Sequence, residues 1–109
     1  MFTRTAFFEG HILEGMEEAF FVAVESHLLP IWRRLPHAQK VRLFWPVTCD
    51  EDTPAVFLIQ QIDYPSLAAI EEAMASPVRE EARLAHQSIM SMYEGRHYHL
   101  VCRRQEADC

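Results

Sequence analysis

The chain has 109 residues, of which 50% are hydrophobic and 24% are charged, and its formal net charge is −6. This length and composition predict one folded domain spanning residues 1–109 and exclude a disordered chain. The only basic pairs are Arg33-Arg34 and Arg103-Arg104, so the chain lacks the positive face that binding along a phosphate backbone requires, and we predict no nucleic-acid partner.

The first segments predict a strand followed by a long helix. Phe2 to His11 contains aromatic side chains at both parities, which is typical of a strand covered on both faces. Glu14 to Arg34 is predicted to be a helix with a kink near His27, because Pro30 removes a helical hydrogen bond. Its predicted buried stripe comprises Met16, Phe20, Ala23, Val24, His27, Leu28 and Ile31.

Two further strands follow the first helix. Lys40 to Val47 alternates apolar and other side chains, and Pro46 favours an edge position because an inner strand needs that N–H. Cys49 to Pro54 is predicted to be a polar turn. Ala55 to Ile62 is almost continuously apolar, which predicts a central strand.

A helix-break-helix unit comes next. Ser66 and Ser76 are predicted N-caps of two successive helices, and Pro77 fits the first helical position of the second, where a missing N–H costs little. Gly95 is predicted to be the residue that ends this unit. Tyr98 to Arg103 is the predicted fourth strand, and residues 105–109 are predicted to form a frayed tail.

The predicted order is therefore βαββαβ, a ferredoxin-like α+β fold with a four-stranded antiparallel sheet and both helices on one face. Such a sheet leaves its other face bare, although the strands carry aromatic side chains on both faces. A second copy of the chain would cover that face. We therefore predict a homodimer formed through the open sheet face.

The sequence resembles the dimeric α+β barrel superfamily, and within it the EthD-like proteins, named for ethyl tert-butyl ether degradation. The segment from Ala73 to Pro77 is similar to the family's "ALASP" motif. His27, Pro30 and Leu35-Pro36 are similar to its His-x-Pro and Leu-Pro-Gly motifs, with His37 at the position of the glycine.

The resemblance implies a barrel of two ferredoxin-like protomers that holds a hydrophobic or aromatic small molecule. It also implies that His27 lies at the mouth of a cavity between helix and sheet, as a proton donor or acceptor. The superfamily includes monooxygenases, isomerases, dehydratases and haem-handling proteins, so it does not by itself imply one reaction.

The compartment is predicted from what the sequence lacks. No apolar run approaches the roughly 20 residues of a bilayer-spanning helix, and no signal-peptide pattern is present, so we predict a cytoplasmic protein with no membrane partner. Cys49, Cys102 and Cys109 form an odd set without C-x-x-C spacing, which argues against a disulfide framework and a zinc ribbon.

Histidines are the main candidates for chemistry. His97 and His99 share one face of the fourth strand, which runs antiparallel to the first and should bring His97 toward Glu9 and His11. A carboxylate beside an imidazole fixes its tautomer and raises its basicity, as a general base requires. The alternative is a polar rim on the sheet. A metal site from His11, His97 and His99 has no second ligand motif to support it, and we predict no metal.

Two helical histidines have alternative interpretations. His27 is either a core residue hydrogen-bonded to a strand or to Tyr64, or the proton donor or acceptor that the resemblance implies. His86 resembles the helical axial ligand of haem-handling proteins, but no haem-pocket signature accompanies it, so a helix-edge histidine is the favoured interpretation.

The predicted substrate-contacting residues are Trp45, Phe57, Gln61 and Tyr64. The first three share strand parity and could line an apolar pocket, or could equally form a dimer interface. The function hypothesis is a small enzyme without a tightly bound cofactor that acts on a hydrophobic or aromatic molecule in an oxidative or degradative pathway, through proton transfer or oxygenase-type chemistry. The alternative is a non-catalytic ligand-binding or scaffolding dimer.

Overall fold

The computed structural model describes residues 1–109 as a layer of helices packed on one face of a four-stranded sheet. The strands are β1 (Phe2–Ile12), β2 (Lys40–Phe44), β3 (Val56–Tyr64) and β4 (Tyr93–Arg103). The helices are α1 (Glu17–Ala23), α2 (Leu29–Trp32), α3 (Leu67–Met74) and α4 (Pro77–Ile89), with a π-helical turn at Val24–Leu28 and a 3₁₀ turn at Met90–Met92. The predicted ferredoxin-like α+β fold is confirmed.

All neighbouring strands are antiparallel, in the order β2-β3-β1-β4. The predicted edge position of the second strand and the central position of the third are both confirmed. β2 ends at Phe44, three residues before the predicted Val47. Pro46 therefore lies just beyond the ladder, where its missing N–H removes no bond.

The pairing of β1 with β4 corrects the predicted end of the helical unit. Gly95 does not cap a helix but lies within β4 opposite Gly10, at φ values of 141° and 130°. A Cβ on Gly95 would lie 1.9 Å from the carbonyl oxygen of Glu9, and one on Gly10 would lie 2.0 Å from that of Glu94. Only glycine allows this close approach, and it extends β4 back to Tyr93, five residues before the predicted start.

The first helix is interrupted by the π turn at Val24–Leu28, which confirms a break near His27 but not a simple kink. Pro30 falls in the first turn of α2, where its missing N–H is tolerated. A π turn uses more residues per turn than an α-helix, so the residues after it are rotated relative to the predicted stripe. Leu28 is buried as predicted and Trp32 beyond the turn is buried as well, whereas His27, within the turn, is exposed to solvent.

The caps of the helical pair are confirmed. The hydroxyl of Ser66 accepts the N–H of Ala69 at 3.0 Å, and that of Ser76 accepts the N–H of Arg79 at 3.3 Å. Pro77 occupies the first turn of α4. The loop that leads from the first helical segment to β2 contains His37 at φ 65°, a left-handed conformation that glycine usually supplies, in agreement with its place in the Leu-Pro-Gly alignment.

The core lies between the sheet and the helices. Its most completely buried side chains are Phe20, Val24, Leu28, Leu58 and Tyr64. The opposite face of the sheet carries a polar network in which Asp63 is bound by Thr3 at 2.8 Å and by both Nη atoms of Arg42 at 2.9 and 2.7 Å. No helix in the structure is both long enough and apolar enough to cross a membrane.

Candidate functional site

A cleft of about 90 Å³ lies between the sheet and the helices that cover it. Seven of its 14 lining residues are hydrophobic, among them Phe8 and Trp32. The polar lining residues are Arg4, Gln60, Arg79, Arg83, His86, His97 and His99. No carboxylate lines the cleft, although the chain as a whole is acidic.

The histidines of the cleft come from two elements that bring them into contact. His97 and His99 are paired with Phe8 and Ala6 of β1, so all four side chains face the helices. The ring centroid of His97 lies 4.2 Å from that of His86 on α4 and 5.4 Å from that of His99. His97 also stacks on Phe8 at 5.6 Å. The three imidazoles therefore form one continuous cluster.

Tyr93 extends this cluster into the core. Its hydroxyl lies 2.8 Å from Nε2 of His86, and burial raises the pKa of the phenol. The phenol therefore stays protonated at neutral pH and can donate to an unprotonated Nε2 of His86. This contact fixes the orientation of the imidazole that faces His97.

The electrostatic environment keeps the histidines neutral. Burial, followed by the charge of His97, lowers the pKa of His86 to about 4. Burial, followed by the nearby Arg4, lowers the pKa of His99 to about 3. Burial and the same arginine also lower the pKa of His97. At pH 7 each imidazole is therefore neutral and has one unprotonated nitrogen, which in His86 is already occupied by the hydrogen bond from Tyr93.

Two polar atoms near the cleft have no hydrogen-bond partner. One is Oε1 of Gln60, a residue that lines the cleft. The other is the hydroxyl of Tyr64, whose pKa burial raises and the nearby charges of Arg4 and Arg79 lower. Gln60 is only 5% exposed and Tyr64 is completely buried. Because a buried polar group without a partner costs roughly 1–3 kcal/mol, Gln60 is a candidate for contact with a ligand, whereas the predicted substrate contact Tyr64 does not line the cleft.

The structure does not bring Glu9 and His11 to His97, so that part of the sequence prediction is wrong. In the register of β1 and β4, Glu9 is opposite Arg96 and His11 is opposite Glu94. Both side chains therefore project from the open face, where Glu9 lies 3.3 Å from Arg96 and His11 lies 3.6 Å from Glu94. Strand parity alone could not show this, because it is the register that decides which residues share a face.

His27 also lies outside the cleft. It is exposed in the π turn and belongs to a separate groove of about 410 Å³ between α1 and the end of α4, with Glu18, Val22, Ser88 and Met92. Its predicted place on the buried stripe is wrong, because His27 falls within the π turn at Val24–Leu28, where its side chain faces solvent. The alternative hydrogen bond to Tyr64 is not formed either, since the hydroxyl of Tyr64 has no partner.

The predicted substrate-contacting set is divided by a β-bulge in β3. Pairing with β1 shifts by one residue between Phe8 and Glu9, so Phe57 joins the helix side, 5.5 Å from Phe20. Trp45 lies there too, 6.1 Å from Phe20. Gln61 is paired with Thr5 and lies on the open face. The three residues therefore do not line one pocket.

Sequence reasoning missed Arg4, Gln60, Arg79 and His86 as members of one site. A signal for two of them was present in α4, where Arg79, Ala82, Arg83 and His86 follow the three-and-four spacing of a single helix face. Arg4 shares parity with Ala6 and Phe8, which are buried against the helices. A charge at such a position indicates a site, but only when the covered face is known.

Comparison with solved structures supports the fold. An EthD family protein from Bacillus halodurans has a TM-score of 0.74 and 14% identity, with 96% of this chain and 99% of that chain covered. A dimeric protein of unknown function with a ferredoxin-like fold from Bacteroides fragilis has a TM-score of 0.64 and 10% identity over 94% and 95% of the two chains. No family model and no curated protein matches the sequence.

A third similar structure is SnoaB from Streptomyces nogalater, described as a cofactor-independent oxygenase. Its TM-score is 0.64 and its identity 14%, with 97% of this chain and 94% of that chain covered. The chain therefore has the ferredoxin-like fold of these similar structures, in agreement with the fold that the sequence predicted. No group of three or more histidine, cysteine, aspartate or glutamate side chains is arranged to hold a metal ion.

Proposed function

We propose that this chain is a small homodimeric protein that binds a hydrophobic or aromatic molecule in the cleft and transfers a proton to or from it without a tightly bound cofactor. The observation that carries the proposal is the cluster of His86, His97 and His99 in a cleft that is otherwise half apolar. Apolar walls combined with a few polar side chains that converge on one space are typical of a small-molecule site.

The proposed chemistry starts with the neutral imidazole of His97. It is the most exposed of the three and can accept a proton from an acidic C–H or O–H of the bound molecule. His86 and His99 contact it on either side, and Tyr93 holds His86 in place. Removal of such a proton leaves an electron-rich carbanion or phenolate, which is the species that oxygenase-type reactions in oxidative or degradative pathways consume. The proposed location of this chemistry is the cytoplasm.

Three similar structures support the proposal by analogy only. One belongs to the EthD family, another is described as an antibiotic biosynthesis monooxygenase, and SnoaB is described as a cofactor-independent oxygenase. Two others are described as dimeric. The open sheet face of this chain has the exposed side chains Phe44, Tyr98 and Leu100, which a second copy would cover.

The test is the exchange of an acidic C–H for deuterium, which detects proton transfer without knowledge of the natural substrate. 1-Phenylpropan-2-one is incubated with the protein in D₂O, and loss of its benzylic proton signal is followed by NMR. We expect His97→Gln to lower the protein-dependent rate by about a hundredfold, the usual contribution of a general base. His27→Gln and His11→Gln are matched controls outside the cleft and should leave the rate unchanged.

Loss of exchange in the His27 variant with retention in the His97 variant would contradict the proposed site.

A second candidate function is non-catalytic binding in the same cleft. The low pKa values of about 4 for His86 and about 3 for His99 favour it, because an imidazole with such a pKa is a weak base. Binding of the ketone to the cleft without any exchange above the buffer rate would identify the protein as a binder.

A further inference from the structure

We propose that the cleft recognises its ligand through a carboxylate, which Arg4 and Arg79 bind, and that the natural ligand is therefore an aromatic carboxylate. This inference rests on the proposed function, because it assigns a ligand class to the same cleft. It is carried by the arrangement of charged side chains and by the size and shape of the space between them.

The positive charges of Arg4 and Arg79 in the cleft are not compensated by acidic side chains of the protein. The guanidinium group of Arg4 forms no hydrogen bond and no ion pair, although it lines the cleft between sheet and helices. The only side-chain hydrogen bond of Arg79 is to the sulfur of Met74, a weak acceptor. A charged group removed from water is costly unless it is paired, so two such guanidinium groups facing one cleft indicate an anionic partner.

The third arginine of the cleft differs from these two. Arg83 is half exposed and binds Glu80, with Nε 2.9 Å from Oε2. Its charge is therefore already balanced at the surface. Arg4 and Arg79 are the pair left for a ligand, and they lie close enough for their charges to repel, since burial and the charge of Arg79 lower the pKa of Arg4 to about 10. A bound anion would relieve this repulsion.

The shape of the cleft favours a planar group. The flat rings of Phe8, Trp32 and His97 contribute to its walls, and His97 stacks on Phe8 at an interplanar angle of 21°. A guanidinium group is itself planar and pairs with a carboxylate through two parallel hydrogen bonds. The cleft has a volume of about 90 Å³, and the exposed His97 is among its lining residues.

The anion also connects recognition to the histidine cluster. Arg4 and Arg79 both lower the pKa of His97 and His99, so neutralising the two guanidinium groups would raise the pKa of both imidazoles. A carboxylate ligand would thereby make His97 a stronger base when it is bound. The charged and titratable groups that face the imidazoles are Arg4, Arg79, Arg83, Tyr93 and the imidazoles themselves.

The experiment compares three probes of the same ring size: benzoate, neutral benzamide and phenyl phosphate. Dissociation constants are measured at pH 7 from ¹H–¹⁵N shifts of cleft residues in the wild type, in Arg4→Gln and in the control Arg33→Gln. We expect benzoate to bind about tenfold or more tightly than benzamide, and Arg4→Gln to remove that preference. Arg33 is an exposed arginine without a side-chain partner, so its variant should behave as the wild type.

Arg79→Gln provides a second variant that should also reduce the preference, and a melting temperature near that of the wild type shows that either variant is folded. Equal affinity for benzoate and benzamide would overturn the inference and leave the proposed small-molecule cleft intact. Phenyl phosphate binding tenfold more tightly than benzoate would also overturn it. Failure of all three probes to shift cleft residues would overturn both the inference and the proposed function.

Discussion

At the scale of single residues, the cleft is notable for polar groups placed where apolar ones would stabilise the fold better. Arg4 lies on the helix-facing side of β1 between Phe2 and Ala6, and the buried Oε1 of Gln60 lacks a partner. Each arrangement costs free energy of folding. Such local conflicts are expected at sites where binding, and not stability, determines the side chain.

The histidine cluster predicts a characteristic loss of stability in mild acid. In the unfolded chain a histidine titrates near its ordinary pKa of 6.5, whereas in the folded chain the pKa of His86 is about 4 and that of His99 about 3. The unfolded state therefore binds more protons between these values, so the free energy of unfolding rises with pH. The stability that the neutral state of these two histidines contributes should be fully present above pH 6.5 and should fall continuously as the pH is lowered toward 4.

This prediction is checked by urea denaturation at pH 7.5, 6 and 5. At pH 5 we expect His86 and His99 together to bind about two protons from solvent when the chain unfolds. This uptake is measured as the slope of the free energy of unfolding against pH. Replacing both with glutamine should remove most of that slope. A slope unchanged in the double variant would show that these residues titrate normally in the folded protein. His27→Gln, at an exposed position, is the control.

At the scale of elements, the contact of Gly10 with Gly95 determines where β4 begins. The close approach of the two strands lets β4 pair with β1 along its whole length, from Ile12 opposite Tyr93 to Phe2 opposite Arg103. That pairing places Tyr93 beneath α4, next to His86, and fixes His97 opposite Phe8. Two glycines far apart in the sequence thus help to position the candidate site.

Gly95→Ala should be strongly destabilising. The added Cβ would lie 1.9 Å from the carbonyl oxygen of Glu9, and φ is 141°, so both sterics and backbone conformation oppose it. We expect a loss of about 3 kcal/mol or more in the free energy of unfolding, measured by urea denaturation.

Gly15→Ala is the matched control for this substitution. Gly15 also has a positive φ, 85°, but a Cβ there would meet no atom within 4 Å. Its loss should be limited to backbone strain, about 1 kcal/mol. Equal losses in the two variants would show that the strands do not approach at Gly95 as closely as the structure indicates.

At the scale of the whole molecule, the two faces of the sheet have different roles. One carries the core and the cleft. The other combines the Asp63 network near the chain ends with an aromatic patch in which Phe7 stacks on Tyr98 at 5.4 Å. Leu100 lies beside this patch and is 50% exposed. The proposed dimer would bury this patch and leave the cleft of each protomer, on the opposite face, accessible.

Leu100→Arg should therefore convert a dimer into a monomer without unfolding it. A charge placed in the centre of an apolar interface is left unpaired and opposes association. The measurement is mass by multi-angle light scattering or native mass spectrometry. Leu84→Arg, at a 53% exposed position on α4, is the control and should remain dimeric. A wild-type chain that is monomeric at micromolar concentration would contradict the proposed dimer.

Local patterns in the sequence determined the fold. The serine caps and Pro77 of the helical pair depend on contacts within a few residues, and the edge position of β2 and the central position of β3 were indicated locally by Pro46 and by the apolar run of residues 55–62. The resemblance to the superfamily also rests on a local pattern, because its motif from Ala73 to Pro77 coincides with the observed helix junction. These features could be read directly because their physical causes are local.

The position of the site depends on long-range packing and strand pairing. A π turn rotated His27 out of the core, the register of β1 and β4 separated Glu9 and His11 from His97, and a bulge separated Phe57 from Gln61. Each of these shifts a side chain to another face by a displacement of one residue, which strand or helix periodicity cannot detect. The cluster of His86 with His97 depends on packing between helix and sheet, so no pattern within either element could predict it.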